Sequence, residues 1–353
     1  MRGVLSMALV VVAAVAAAMP WPADWVERGF SNGIYPAIQR HVTPVTNAVP
    51  FAWLDVIVIG FLAGAVHGLV AAGRSWRRSR SWRVAGRHLA WWPAIVAALY
   101  LLFLGAWGLN YRRVPMGERV RTVAGAPDDA AASRLIERAV AEMNARRPRL
   151  DLATAPPPWR DDGLRRAFAE VQRLLGGDGG AVPGRLKASL LGPYFRWAGI
   201  DGMVNPFALE VIGNPDLLPA ERPFVAAHEW GHLAGFADEA EASYVGWLAC
   251  IRAGDAAAYS GWLFLYWQLS AELDAATRAR VWDTLVPEAR RDVEAIVARL
   301  RLGEVRALRT ASWQVYDQYL KANRVASGVR SYSAVVSLIL RTDWAPGWTP
   351  VRR

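Results

Sequence analysis

The stretch His228-Glu229-Trp230-Gly231-His232 reads H-E-x-x-H inside a segment whose apolar residues favour a helix. Residues four apart in a helix lie on one face, one turn apart. Two imidazoles placed in this way can bind one Zn²⁺, and the glutamate between them can reach a water molecule on the metal. The sequence therefore predicts a catalytic zinc centre, with His228 and His232 as ligands and Glu229 as general base.

A catalytic zinc ion needs a third protein ligand, and three carboxylates follow the motif. Asp238 completes the metzincin spacing H-E-x-x-H-x-x-G-x-x-D. Glu239 begins E-x-x-A, as in zincins whose third ligand is a glutamate on the next helix. In those proteins a small residue, here Ala242, lets the two helices approach, and Ser243 could hydrogen-bond a ligand histidine. On spacing alone Asp238, Glu239 and Glu241 all remain candidates.

The composition is typical of a membrane protein. Hydrophobic residues make up 54% of the 353 residues, and 18 residues are tryptophan. We attribute the net charge of +10 to topogenic arginines and affinity for anionic lipid, because no nucleic-acid recognition motif accompanies it. The expected partner is therefore the lipid bilayer, and we expect no nucleic acid as a partner. The single cysteine, Cys250, excludes an intrachain disulfide framework and is expected to be a small buried residue.

Three apolar stretches, at about residues 3–23, 51–73 and 89–111, are long enough to cross a hydrocarbon core of about 30 Å. The first could instead be a cleaved signal peptide, because Arg2 precedes an Ala/Val-rich run. That run continues through Trp21 without a clear polar end, so we expect an uncleaved anchor. Residues 1–111 are thus predicted to form a transmembrane region with three helices.

Arginines predict the orientation, because a short loop rich in arginine stays in the cytoplasm. Six arginines lie between the second and third stretches: Arg74, Arg77, Arg78, Arg80, Arg83 and Arg87. Arg112 and Arg113 oppose this orientation weakly. The loop at about 22–50 and everything after the third stretch are then outside the cytoplasm. The sequence thus predicts a multi-pass membrane protein with an extracytoplasmic catalytic domain.

The outer part of the chain is predicted to be mainly helical. Residues 112–127 are polar, with Gly and Pro, and indicate a linker. Residues 128–353 are predicted to form an α-rich (α+β) zincin-like metallopeptidase domain. Its best strand candidate, residues 202–212, is expected to lie at a sheet edge above the metal helix, where an extended substrate could pair with it. The predicted fold class is therefore mainly α.

Further motifs are spread over the chain. They are Trp107-Gly108-x-Asn110-Tyr111-Arg112-Arg113, Asn205-Pro206-Phe207 with Glu210, residues 223–229, Gly235-Phe236-Ala237, Glu239-x-Glu241-Ala242, residues 244–250, Tyr259-Ser260-Gly261, Tyr316-x-x-Tyr319-Leu320-Lys321-Ala322-Asn323 and Ser331-Tyr332. Together they resemble the bacterial membrane proteins of the domain-of-unknown-function 3810 family, over almost the whole chain. The resemblance implies a zinc metallopeptidase of the gluzincin type, anchored in the bacterial cytoplasmic (inner) membrane.

The resemblance also bears on the third ligand. In that family both glutamates recur, while the position after Gly-Phe-Ala varies, which favours Glu239 over Asp238. Glu241 would lie on a different helix face from Glu239. Two departures from the family pattern affect the surroundings of the ligands: Ser243 stands where the family usually has Asn, and Ala240 stands where it often has an acid.

The resulting hypothesis is zinc-dependent hydrolysis of peptide bonds in an envelope or membrane-proximal protein or peptide, through a metal-activated water. Glu210 is a candidate for aligning a substrate or a ligand histidine, or is a strand-end carboxylate facing water. The candidate oxyanion donors are Tyr259, Tyr316, Tyr319, Lys321 and Tyr332. The alternative is a catalytically inactive, membrane-tethered scaffold or peptide-binding protein with a zincin fold. Glu229 separates the two hypotheses, because a scaffold would not need it.

Overall fold

The computed structural model describes residues 2–123, 129–323 and 334–353, which are mostly helical. The first part comprises α1 (Arg2–Ala18), α2 (Ala23–Trp25), a π-helix (Val26–Ile34), α3 (Tyr35–Ala48), α4 (Trp53–Ser79), α5 (Trp82–Gly86) and α6 (Trp92–Ala106). The middle comprises α7 (Met116–Arg119), α8 (Asp129–Arg146), α9 (Asp162–Leu174), β1 (Leu186–Lys187), α10 (Gly192–Ala198), β2 (Gly202–Asn205) and β3 (Glu210–Gly213), with 3₁₀ turns at Gly108–Arg112, Arg147–Arg149 and Pro158–Arg160. The last part comprises α11 (Arg222–Leu233), α12 (Glu239–Ile251), α13 (Asp255–Glu272), α14 (Ala275–Asp283), α15 (Pro287–Gly303), α16 (Arg306–Ala322), α17 (Ala334–Arg341), β4 (Trp344–Ala345) and β5 (Thr349–Pro350).

The described residues contain one or two helices that could cross a membrane by length and composition, rather than the three predicted. α4 has 27 residues and passes alone, with 11% of its apolar window buried. The first stretch passes only together with α2 and α3, and the pair is bent by 106° at the break, which holds Pro20 and Pro22. The third stretch forms α6, whose 15 residues cover roughly 22 Å, less than a hydrocarbon core of about 30 Å.

The predicted strand at 202–212 is in fact a hairpin. β2 and β3 pair antiparallel, with Asn205 opposite Glu210, and β1 pairs parallel to the other side of β3. The chain turns between the strands at residues 206–209, where Leu209 adopts a φ of 45°, which is uncommon for a residue with a branched side chain. The sheet order is β1-β3-β2, so β2 is an edge strand.

The hydrophobic core is centred on α12. Every residue of this helix from Glu239 to Cys250 is buried. It packs against α9, α11, α13 and α17, and Cys250 is a free, fully buried thiol as expected for a small core residue. Apolar side chains of the π-helix, α6 and α8 join the same core cluster. The helix α11 carries the H-E-x-x-H motif and is called the metal-motif helix below. Both α11 and its neighbour α12 are therefore packed into this core.

The segment at 22–50, predicted as an outer loop, is largely helical and packs on this core. Phe30 and Tyr35 are buried, and the Tyr35 hydroxyl donates a hydrogen bond to the Leu233 carbonyl at 2.8 Å. In the predicted linker, the described residues 112–123 also lie against the core: Met116 is 1% exposed, and Val120 forms an isolated β-bridge with Arg352. Both segments therefore reach the end of the metal-motif helix.

The sheet is joined to the first turn of α4 by a buried ion pair. Lys187 on β1 and Glu210 on β3 have fully buried side chains, with Nζ 2.9 Å from Oε2. Glu210 also accepts hydrogen bonds from the backbone N–H groups of Trp53 and Leu54, at 3.0 and 2.8 Å. These are orphan donors at a helix start, which a carboxylate satisfies. The candidate membrane helix is therefore capped by the sheet.

Candidate metal centre

α11 places His228 and His232 side by side on its buried face. The ring centroids are 4.8 Å apart, and both Nε2 atoms point at one oxygen of Glu239. Glu239 Oε2 lies 3.3 Å from the Nε2 of His228 and 3.4 Å from that of His232. The three possible ligand atoms lie within 4.8 Å of one another. Two imidazoles and one carboxylate in this arrangement form a donor set that suits zinc.

Glu239 reaches this position because it is the first residue of α12. Asp238 is the N-cap, and its carboxylate accepts hydrogen bonds from the backbone N–H groups of Ala240 and Glu241. The pKa of Asp238 is raised to about 6 by burial and by the Glu241 carboxylate. Asp238 thus serves the helix end, and the structure does not bring it into the ligand group.

Glu241 also turns away from the histidines. Its carboxylate accepts a hydrogen bond from the backbone N–H of Met116 at 2.5 Å and lies 3.4 Å from Arg119. Of the three carboxylates that spacing left open, the structure places Glu239 alone beside the two imidazoles.

Small residues let α11 and α12 approach closely. A Cβ atom on Gly231 would lie 3.1 Å from the backbone of Ala242, the small residue that the E-x-x-A pattern singled out. A Cβ atom on Gly246 would lie 2.7 Å from the backbone nitrogen of His228. Nothing in the sequence analysis indicated Gly246, although this glycine lies seven residues, about two helical turns, after Glu239 and therefore on the same face of the helix. Both contacts fix the distance between Glu239 and the histidines.

Hydrogen bonds orient both imidazole rings. His232 Nδ1 lies 2.8 Å from the Phe236 carbonyl oxygen, which can only accept, so Nδ1 carries a proton and Nε2 of the neutral ring presents a lone pair. His228 Nδ1 lies 3.1 Å from the hydroxyl of Ser243, at the position suggested by the sequence. Ligand histidines in metal sites are commonly oriented in this way.

Burial and charge act in opposite directions on these groups. Burial disfavours the charged form of Glu239, but His232 and His228 outweigh it and hold the pKa of Glu239 well below its usual range. Burial likewise opposes protonation of His232, yet Glu239 raises the pKa of His232 to about 9. The carboxylate and the two imidazoles therefore favour one another's charged forms.

Glu229, on the same helix as the two histidines, is 3% exposed and lies next to the edge strand. A Cβ atom on Gly202 of β2 would lie 2.7 Å from its Oε1. Burial raises the pKa of Glu229, while His228 and His232 lower it. Among the described residues, Oε2 of Glu229 and Oε2 of Glu239 are buried without a hydrogen-bond partner. Such atoms are costly unless a ligand, ion or water completes them, and the donor set fits a zinc ion in this role.

One of the candidate oxyanion donors, Tyr316, contacts the candidate metal centre. The Tyr316 hydroxyl on α16 donates a hydrogen bond to Oε1 of Glu239. Tyr319 stacks on Tyr316, with centroids 5.9 Å apart, and burial raises its pKa to about 12. Tyr316 therefore meets the ligand glutamate itself, through the oxygen that does not face the histidines.

The remaining candidates have other partners or cannot be placed. The Tyr259 hydroxyl donates to Asp292 at 2.6 Å, and Lys321 pairs with Asp317 at 2.6 Å on the surface of α16. Glu210 caps α4, so it neither faces water nor touches a ligand histidine. Tyr332 lies outside the described residues.

Residues far away in sequence hold the end of α11. The Trp107 indole donates a hydrogen bond to the His232 carbonyl at 2.9 Å, and its ring meets the His232 ring edge-on. Arg113 donates to the Gly235 carbonyl at 2.9 Å. The motif at 107–113 was visible in the sequence, but nothing in its spacing indicated that it contacts the metal-motif helix.

A family model described as "Protein of unknown function (DUF3810)" matches residues 30–340. The chain belongs to the DUF3810 family. The matched residues include the whole metal centre, from Trp107 to Tyr316. No curated protein and no solved structure matches the chain.

Proposed function

We propose that this DUF3810 protein is a membrane-anchored zinc peptidase that hydrolyses peptide bonds in an envelope or membrane-proximal protein or peptide. The observation that carries the proposal is the convergence of His228, His232 and Glu239 beside Glu229, a buried carboxylate with an unpaired oxygen. A closed structural site would not need that fourth residue. Under this proposal, α11, α12 and the edge strand β2 form a zincin-like core.

The residues divide the chemistry between them. His228, His232 and Glu239 would hold zinc, which acts as a Lewis acid on the scissile carbonyl and on the attacking water. Oε2 of Glu229 accepts the proton of that water and then passes it to the leaving amine. Tyr316 holds the free oxygen of Glu239 and so keeps the carboxylate turned toward the histidines.

The edge of β2 is the proposed substrate surface. Within the described residues β2 pairs with β3 on one side, and Gly202 of β2 packs against Glu229. An extended peptide that added a strand to the other side would pass beside Glu229. The N–H and C=O groups along the outer side of an edge strand can bind the main chain of a peptide of any sequence. Specificity would then come from side-chain contacts on either side of the strand.

The proposed topology follows from the two ends of α4. Its far end and the following turn carry the six exposed arginines at 74–87, whereas its first turn is capped by the sheet of the metal domain. With the arginines in the cytoplasm, the metal domain lies on the extracytoplasmic side of the inner membrane.

The test of the function begins with metal analysis of the full chain by mass spectrometry. We expect about one zinc ion per chain, lost in a His228→Ala, His232→Ala double variant and retained in His41→Ala. His41 is a matched control, because its side chain is exposed and its ring hydrogen-bonds to the Ala37 carbonyl of its own helix. Absence of zinc from the wild type after reconstitution would contradict the proposal.

The second step separates a hydrolase from an inactive scaffold. The full chain and Glu229→Gln are incubated with a mixed peptide library, and new amino termini are counted by mass spectrometry. The proposal requires zinc-dependent cleavage by the wild type that Glu229→Gln loses while keeping its zinc. Zinc binding without any effect of Glu229→Gln on peptides would support the alternative, a membrane-tethered peptide-binding protein.

A further inference from the structure

α10 buries one side and exposes two large aromatic residues on the other. Its inner residues Phe195 and Ala198 are buried, at 1% and 0% exposed. On its outer side Tyr194 and Trp197 remain 36% and 45% exposed. Arg196 lies between them and pairs with Asp216, so the outer side combines aromatic and charged groups.

The apolar surface extends from α10 to neighbouring segments. Leu190, just before α10, is 72% exposed, while Leu302 at the end of α15 and Val305 just before α16 are 89% and 47% exposed. The backbone N–H of Val305 donates to the Trp197 carbonyl at 3.0 Å, which joins the two segments. We call Leu190, Tyr194, Trp197, Leu302 and Val305 the outer patch. Contiguous exposed apolar surface of this kind marks a contact with a membrane or another protein.

The outer patch lies beside the start of α4. Asp55, in the first turn of α4, accepts hydrogen bonds from the backbone N–H of Leu190 at 3.0 Å and from the Ser189 hydroxyl at 2.5 Å. The inner side of α10 shares a small apolar cluster with Ala52 and Ile212. The short helix is therefore bound to the same turn at which the apolar part of α4 begins.

This position decides between a membrane and a protein partner. A helix that enters a bilayer has its first turn at the level of the lipid headgroups, where Trp and Tyr side chains are enriched. Leu302 and Val305 are flanked by the exposed arginines Arg301 and Arg306, which suit the phosphates of anionic lipids. The acid between them, Glu304, is paired with Arg309. Continuity with α4 and the mixture of aromatic, aliphatic and basic residues both favour lipid.

We propose that the outer patch is a second membrane contact, which rests in the interfacial layer of the bilayer that α4 enters. The proposal depends on α4 crossing the bilayer and is independent of zinc or peptide cleavage. Its consequence for the site is that α16, which packs against α10 and carries Tyr316, is held at the membrane surface. Substrate bonds within reach would then be those close to the lipid headgroups.

The experiment uses single cysteine variants of the full chain, labelled with an environment-sensitive NBD fluorophore. Cys250 is fully buried, so the unsubstituted protein is the labelling control. Leu302→Cys reports on the outer patch. Arg291→Cys is the matched control on the same helix, with an exposed side chain roughly 16 Å away along α15. Leu62→Cys, 57% exposed in the middle of α4, reports on the span itself.

Each labelled protein is reconstituted in vesicles of phosphatidylethanolamine and phosphatidylglycerol. The quenchers are lipids with a doxyl group near the glycerol end of the chain, lipids with a deeper doxyl group, and aqueous iodide. We expect the shallow doxyl lipid to quench the label at 302 severalfold more than the label at 291, which iodide should quench. The deep doxyl lipid should quench the label at 62.

Three results would overturn the proposal. Equal iodide quenching at 302 and 291 would place the patch in water. Protection of the label at 302 from every quencher would show that protein covers the patch. Loss of lipid quenching at 62 would place α4 outside the bilayer. Leu190→Cys repeats the test from another exposed position of the patch, and zinc content measured on the same samples keeps the result separate from the function of the metal centre.

Discussion

Glu210 and Glu229 are both buried glutamates, one in the sheet and one on the helix beside it, but their surroundings differ. Each oxygen of Glu210 accepts two hydrogen bonds. Oε1 takes those of the Leu54 backbone and the Asn205 amide, and Oε2 takes those of the Trp53 backbone and the Lys187 ammonium. Oε2 of Glu229 has no such partner among the described residues.

The difference separates a buried carboxylate that serves the fold from one that we propose serves a ligand. A carboxylate whose lone pairs all accept hydrogen bonds has no capacity to take up a proton or a substrate atom. Glu210 therefore has a structural role, in which it links the sheet to the start of α4. An unpaired buried oxygen costs free energy that folding alone does not recover. At the metal centre this cost falls on Glu229 and Glu239 together, which is typical of sites that exchange protons or bind ions.

The largest expected effect is on catalysis by Glu229→Gln. The amide has nearly the same shape as the carboxylate but cannot accept the proton of the attacking water. We expect kcat/KM for a peptide found in the library screen to fall about 10²- to 10⁴-fold. Zinc content and Tm should stay at the wild-type values. A large loss of Tm would instead place Glu229 with Glu210 as a structural carboxylate.

Next in size is the loss of stability in Glu210→Ala. This variant removes the carboxylate paired with the buried Lys187 ammonium, which keeps only the Phe51 carbonyl among the described residues, and it also removes the acceptor of two helix-start N–H groups. We expect the free energy of unfolding to fall by about 3–5 kcal/mol, measured by chemical denaturation in detergent. The double variant Glu210→Met, Lys187→Met should recover part of this loss, because no unpaired charge remains. An unchanged free energy of unfolding in Glu210→Ala would show that the link between the sheet and α4 is not needed for stability.

A smaller effect is expected for Ser243→Ala, which removes the hydroxyl beside His228 Nδ1. The ring would lose one orienting contact, so zinc affinity should fall about 10- to 100-fold. The measurement is competition against a chromogenic chelator. Ser270→Ala is the control, because that hydroxyl donates to the Trp267 carbonyl of its own helix and should leave zinc affinity unchanged. Equal affinities for the two variants would mean that Ser243 does not orient the ligand.

The smallest effect is expected for Tyr316→Phe. Loss of one hydrogen bond to Glu239 should cost about 0.5–1.5 kcal/mol, which corresponds to roughly two- to tenfold weaker zinc binding in the same assay. Tyr319→Phe, on the neighbouring ring, should bind zinc like the wild type. If Tyr316→Phe bound zinc more tightly, the hydroxyl would be competing with the metal for Glu239 rather than orienting it.

The local part of the metal centre was predictable because it lies within one helix. A spacing of four residues is enough to bring His228 and His232 together, whatever the rest of the chain does. Spacing did not decide among Asp238, Glu239 and Glu241, because one residue of shift at a helix start changes which side chain faces the neighbour. The family resemblance favoured Glu239, and the N-cap position of Asp238 gives the physical reason.

The predictions that concern distant contacts or chain breaks were weaker. A hydropathy window counts apolar residues and ignores where a helix stops, so it gave three spans where the described residues hold one or two. The strand prediction missed the turn before Leu209, because this turn contains apolar residues and a leucine in a conformation that favours glycine. Nothing in the sequence linked Glu210 to Trp53, since that contact crosses 157 residues.

The long sequence separation between Glu210 and the start of α4 has a consequence for the synthesis of the chain. Glu210 lies 157 residues after Trp53 and 156 after Leu54, so a ribosome adds it roughly 10–30 s after the start of the helix. During that time the first-turn N–H groups of α4 lack the carboxylate that accepts their hydrogen bonds in the folded chain. The chain therefore contains the whole of α4 before it contains the residue that caps it.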